Sequence, residues 1–245
     1  MLTRWLSGVL TGAVFLAAVA CNGGDDAPQG SPLPSGRTPA PAAPKGAHAA
    51  SKLAAKFLAG VDGRYEYRYT GALGSVTEGT LTVYRLGVND RQDWTQTAFG
   101  IESTTGSILD GDKNYTCAVA QSYSSCLVAT VQQVESLRFI SAPIYDALAA
   151  LVTERDKFKF EDLPDEGFAG ITGNCYRASS DTRSGAGPPA SENIKACFKE
   201  DGAVLYFERA MTPDSAALES STFTIELQSR NDALISDFEP PGRVQ

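Results

Sequence analysis

The chain has 245 residues, with 21 Lys and Arg against 29 Asp and Glu, a formal net charge of −8 and an isoelectric point near 4.7. That balance works against nucleic acid and against an anionic bilayer as charge-driven partners. A single histidine, His48, leaves no histidine pair for a metal set, and without ligand-type neighbours it is not expected to act as a base or ligand.

At the N-terminus a lone Arg4 precedes the apolar run Leu6–Ala20, which closes on Ala18-Val19-Ala20 and is followed at once by Cys21. A basic start, a short apolar stretch and small residues before a cut site form a secretory signal. The run is too short for a spanning helix, which takes about 20 apolar residues with interfacial flanks. The cysteine at that point resembles the lipid-acceptor residue of bacterial lipoprotein signal peptides, although Ala18 stands where that class usually carries Leu. Cleavage after Ala20 without acylation is the competing reading. The resemblance implies residues 1–20 as a cleaved signal, acyl chains on Cys21, and a mature chain on the extracytoplasmic face of a bacterial cell membrane. One acyl chain holds a protein marginally at about 0.8 kcal/mol per buried methylene, and two hold it permanently.

From Cys21 to residue 47 the composition turns to Gly, Pro, Ala, Ser and Asp, as in Thr38-Pro-Ala-Pro-Ala-Ala-Pro44. Such a segment buries too little apolar surface to offset its ordering entropy. It reads as a spacer reaching up to roughly 70–80 Å at about 3.1 Å per residue. His48 ends it without ligand-type neighbours. Residues 48–245 are long enough for one domain with its own core.

Ala49–Leu58 has helical spacing, with Leu53, Phe57 and Leu58 on one side. Arg64–Tyr69 then alternates charge and aromatic, placing Tyr65, Tyr67 and Tyr69 on one strand face and Arg64, Glu66 and Arg68 on the other. Strand-like runs follow at Glu78–Leu86, Gln92–Glu102, Ser107–Asp110, Lys113–Ala120 and Ser125–Thr130. Val134–Arg155 returns to helical spacing through Leu137, Ile140, Ile144, Leu148 and Leu151, with Pro143 predicting a kink or two shorter helices. Ile194–Lys199, Ala203–Arg209 and Ser220–Ser229 close the domain as strands. Asp110-Gly-Asp112 and Glu200-Asp-Gly202 are tight-turn signals. With Cys21 committed to lipid, the pairing Cys117–Cys126 and Cys175–Cys197 is favoured among three, since each pair brackets a short segment between strand-like runs. No CxxC spacing supports a redox or zinc site instead.

This pattern predicts an α+β, mainly antiparallel fold: an open half-barrel of about ten to eleven strands whose concave face is covered by helices. The order of Leu53–Leu58, Arg64–Gly71, Glu78–Tyr84, the Leu137–Leu151 helices, Val204–Glu208 and Ser220–Gln228 resembles the LolA-like and LppX/LprG-like envelope lipoproteins and carriers. The resemblance implies a hydrophobic cavity between sheet and helices that receives acyl chains of a lipid or lipoprotein. Tyr65, Tyr67, Tyr69, Leu81, Val83, Trp94, Ile101, Ile140, Ile144 and Leu148 are the expected lining, each competing with plain core packing. A protein-binding sensory role, as in RseB-like regulators, is the alternative, using sheet edges or the Ser179–Ser191 loop. No nucleophile elbow, phosphate loop or metalloprotease helix is present, so a monomeric, non-catalytic binding protein without cofactor or metal is expected. The pairs Asp110/Asp112 and Asp165/Glu166 read as turn residues.

Overall fold

The computed structural model describes residues 45–245 apart from 74–75, 122, 137–141, 183–189 and 214–219. Cys21, the spacer, Leu137 and Ile140 therefore lie outside the described residues. Helix α1 (Lys45–Leu58) leads into six strands, β1 (Gly63–Leu73), β2 (Val76–Leu86), β3 (Asn89–Ala98), β4 (Ile101–Asp110), β5 (Lys113–Ala120) and β6 (Tyr123–Val128). Helices α2 (Val131–Ser136) and α3 (Ala142–Thr153) follow, on either side of the segment before Pro143. The chain continues through β7 (Lys159–Phe168), β8 (Ile171–Thr182), β9 (Ala190–Phe198), β10 (Val204–Pro213) and β11 (Ser221–Asn231). A 3-10 turn at Ile235–Phe238 and the short β12 (Arg243–Val244) come last.

All twelve strands belong to one open sheet in the order β12-β6-β5-β4-β3-β2-β1-β11-β10-β9-β8-β7. Every pairing is antiparallel except β12 on β6. The architecture implied by the LolA-like resemblance is thus the one observed: a leading helix, a long meander, mid-chain helices and further strands completing a half-barrel.

Period-two alternation decides the faces. Tyr65 pairs with Val83 and Tyr67 with Leu81, and Leu81 pairs with Trp94. On the other side Tyr67 faces Leu227 and Tyr69 faces Ile225. These side chains, with Phe207, Ile194 and Ala196, form the inner face on which α1 and α3 lay Leu53, Phe57, Ile144, Leu148 and Leu151. A second, smaller cluster sits on the outer face, where Tyr84, Ile108, Cys117 and Cys126 are covered by Phe238 of the 3-10 turn. Arg91 clamps that cover, donating from Nη1 to the carbonyl of Asp237 at 2.6 Å while pairing with Asp93 at 2.7 Å. Burial raises the Asp93 carboxyl pKa against the pull of Arg91.

Both expected turns are present, with Gly111 at φ 61° and Gly202 at φ 98°. The expected run Gln92–Glu102 is split instead by a hairpin turn in which Phe99 and Gly100 take φ 53° and 75°. A bulky residue in the left-handed region is uncommon, so this turn carried no sequence signal. The β7–β8 hairpin also escaped the reading, because Pro164 and the acidic run Asp165-Glu166 look like loop. The strand absorbs them in a register shift between Leu163 and Glu166.

Gly79 is required by a close approach, since a Cβ there would lie 2.7 Å from the Trp94 Nε1 and 2.8 Å from the Thr95 carbonyl. Gly79→Ala is expected to lower the unfolding free energy by about 2 kcal/mol in urea titration, through displacement of the indole and backbone.

Candidate functional site

The cysteines fall where the pairing predicted. Cys117 and Cys126 are direct register partners on β5 and β6, and Cys175 and Cys197 are direct partners on β8 and β9, each with Cα atoms 4.1 Å apart. Glu166 lies beside the second pair. With both sulfurs in the disulfide, the trio offers no thiolate to a metal.

The expected cavity residues divide into two groups. Tyr65, Tyr67, Tyr69, Leu81, Val83, Trp94, Ile144 and Leu148 do come together, all of them buried in the inner core. The three tyrosine hydroxyls are consumed by main-chain carbonyls: Tyr67 donates to Val204 at 3.1 Å, Tyr65 to Val61 and Asp62, and Tyr69 to Gly71 at 2.9 Å. Burial pushes the Tyr65 phenol up to about 12 and raises those of Tyr67 and Tyr69. Neutral, hydrogen-bonded phenols wedged between strands are packing elements. Ile101 does not join them. It begins β4 beside the Phe99 turn, opposite Ala98 on the face of Trp94, and is 52% exposed there at the tip of the hairpin. Ile140 lies outside the described residues.

Arg85 carries the charge in this layer, and alternation alone did not single it out. Its side chain is 5% exposed, pairs with Asp90 at 3.3 Å and donates from Nη1 to the Phe57 carbonyl at 2.9 Å, capping the last turn of α1. Its guanidinium also lies 4.4 Å from the Phe57 ring centroid and 5.1 Å from that of Tyr145. One cation thereby joins α1, α3 and the β2–β3 hairpin. Gln92 extends the network by donating from Nε2 to Asp90 at 3.1 Å. The Gln92 Oε1, the Gln96 Oε1 and the Tyr145 hydroxyl are buried without a partner among the described residues, so the layer around the greasy core is not uniformly apolar.

Several openings border the sheet among the described residues. A pocket of about 250 Å³ lies between the end of α1 and the β2–β3 turn, with Arg85, Asp90 and Tyr145 in its wall. A groove of about 490 Å³ runs over the outer face, lined by Glu66, Arg68, Glu78, Thr80, Thr95 and Glu102. The groove also reaches Tyr69 and Gln96, and neither of these two openings is lined by Tyr65 or Tyr67. On β6, Tyr123 and Leu127 are 57% and 52% exposed.

A second charge cluster ties the β9–β10 turn to β11. Asp201 accepts from the Ala203 N–H at 3.0 Å and from Arg230 at 2.7 Å. Its partial burial raises its pKa, but the Ala203 N–H and Arg230 outweigh that and hold the carboxyl below the usual range. A depressed folded-state pKa stabilises above the unfolded value and ceases to do so as the carboxylate takes up its proton. Asp201→Asn is therefore expected to be less stable than the parent at neutral pH, with the deficit closing as pH falls below about 4, as read by thermal melts across pH. His48, exposed on α1, takes no part in either cluster.

No protein-family model matches the chain, and no curated protein matches it. Among solved structures it is similar to MucB, with 10% identity, a TM-score of 0.37, and coverage of 79% of this chain and 62% of that one. The MucA/MucB complex of Pseudomonas aeruginosa gives 10% identity and a TM-score of 0.35, over 77% of this chain and 59% of that one. A LolA superfamily protein from Nitrosomonas europaea gives 10% identity and a TM-score of 0.32, over 79% and 97% of the two chains. The chain thus spans about 62% of the length of MucB. The fold statement rests on the observed strand order, and the identities place the chain in no family.

Proposed function

We propose that this chain is a non-catalytic extracytoplasmic binding protein, held to a membrane by acylated Cys21 and a proline-rich spacer, whose sheet engages a polypeptide partner. The observation that carries this reading is the state of the inner layer. Tyr65, Tyr67 and Tyr69 fill it with their hydroxyls already bound to main-chain carbonyls, which favours a fixed core over an acyl-chain receptacle. A sheet whose β6 carries exposed apolar side chains instead offers a surface and an edge. The residues 1–20, 21–47 and 48–245 then serve as signal, tether and monomeric binding domain.

The test is native mass spectrometry of the mature protein isolated from its own envelope in mild detergent. One stoichiometric polypeptide, with no lipid beyond acyl chains on Cys21, is the expected spectrum. A lipid retained by the domain, with no bound polypeptide, overturns the reading. The intact mass decides the anchor separately, since an unmodified Cys21 removes it.

Acyl binding stays as a second reading on one observation, the exposure of Ile101, Tyr123 and Leu127 on β4 and β6. Uptake of a fluorescent fatty-acyl probe that Leu127→Lys abolishes would favour it.

A further inference from the structure

The two edges of the sheet are built differently. An open edge strand presents unpaired N–H and C=O groups, and soluble proteins blunt such edges with charge, proline and bulges. The β7 edge has all three: Pro164, a register shift between Leu163 and Glu166, and a charged sequence whose Glu161 and Glu166 pair with Arg177 at 2.9 Å and Lys195 at 2.7 Å. The opposite edge, β6, reads Tyr-Ser-Ser-Cys-Leu-Val, without a charge or a proline. Its Tyr123, Leu127 and Val128 are exposed on both faces of the strand.

This edge already accepts a strand. Residues 243–244 pair with it in parallel at just two register positions, Arg243↔Ser125 and Val244↔Cys126, and Gln245 donates its N–H to the Cys126 carbonyl at 2.9 Å. The segment leading there is held by contacts off the ladder. Ser124 donates to the Pro241 carbonyl at 3.0 Å, Gly242 packs on the Ser124 backbone, and Phe238 is sunk in the outer cluster. β6 itself is held in place by the Cys117–Cys126 bridge to β5. An uncharged edge that already pairs with a short strand is the kind of sheet edge to which an extended segment adds.

The geometry points to β6 as the docking edge for an extended segment of a different polypeptide, apolar at alternate positions and basic at its ends, which displaces β12 from Ser125 and Cys126. Strand addition supplies main-chain pairing, the exposed Leu127 and Val128 receive alternate side chains, and the net charge of −8 favours a basic partner. The inference rests on the polypeptide reading proposed above and names the place and conformation of the contact.

The test uses the full mature protein and a short synthetic peptide of alternating valine and threonine between terminal lysines, followed by amide NMR. Expected is protection of the Tyr123–Val128 amides and about tenfold weaker binding to a Leu127→Lys/Val128→Lys double variant. Gln245→Pro, which removes the N–H donated to the Cys126 carbonyl and so weakens the β12 pairing, is expected to bind about tenfold tighter. The same peptide with N-methylated backbone is expected not to bind. Unchanged melting and an intact Cys117–Cys126 bridge establish that the variants are folded. Equal binding of the methylated peptide, protection at β7, or no binding overturns the inference, as does self-association of the protein that Leu127→Lys abolishes, which assigns the edge to a second copy. Retention of the native envelope partner by the double variant overturns the edge and leaves the polypeptide reading standing. Absence of any such partner overturns that reading.

Discussion

Replacing Arg85 by methionine is expected to lower the unfolding free energy by about 3 kcal/mol, the scale for breaking a buried ion pair from one side. Methionine fills much of the same volume, so the loss comes from polar groups left behind. Asp90 loses its cation, the Phe57 carbonyl at the end of α1 loses its donor, and two aromatic rings lose the guanidinium above them. A lysine keeps the charge but not the fork that reaches helix and carboxylate together, so Arg85→Lys is expected to recover less than half of the loss. Urea titration measures both. Hydrogen exchange over α1 locates the damage, and an equal rise throughout the sheet would show that Arg85 is not a local clamp.

The second large effect is expected from the disulfides, and it differs between them. On the loop-entropy model, closing a separation of 22 residues stabilises by about 3.4 kcal/mol and closing one of 9 residues by about 2.6 kcal/mol. Cys175→Ala/Cys197→Ala is therefore expected to reduce the urea midpoint more than Cys117→Ala/Cys126→Ala. The core location works in the same direction, because both sulfurs of the longer loop lie in the main cluster. A larger loss from the shorter loop would show that packing in the outer cluster, rather than chain entropy, sets the contribution.

Much of the fold was legible because it rests on period-two alternation. Tyr65, Tyr67 and Tyr69 could face only one way, and β5 was read as Lys113–Ala120, the bounds it has. Pro143 foretold two helices. The paired cysteines were legible because each pair brackets a short segment between strand-like runs, and each cysteine lies opposite its partner on the neighbouring strand. Three features escaped. The Phe99–Gly100 turn was hidden because its first residue prefers another backbone region, and it leaves Ile101 exposed at the hairpin tip. The β7–β8 hairpin was hidden by edge-protecting residues that look like loop. The pairing of β12 depends on a partner more than a hundred residues away along the chain, which no local pattern encodes. The candidate site suffered most: alternation says which side chains face inward, and it says nothing of whether they leave a void.

The central seam of the sheet joins distant parts of the chain, with Arg64 opposite Asn231 and Gly71 opposite Phe223. A ribosome delivers the tyrosine-bearing strand early and its neighbour near the end, so the first hairpins wait with a raw flank. Local pairs such as β2 with β3 close at small loop entropy, whereas this seam closes only after nearly the whole domain exists. Newly made molecules consequently pass through a sticky half-sheet, and any holding factor that meets them is expected to recognise that flank before maturation hides it.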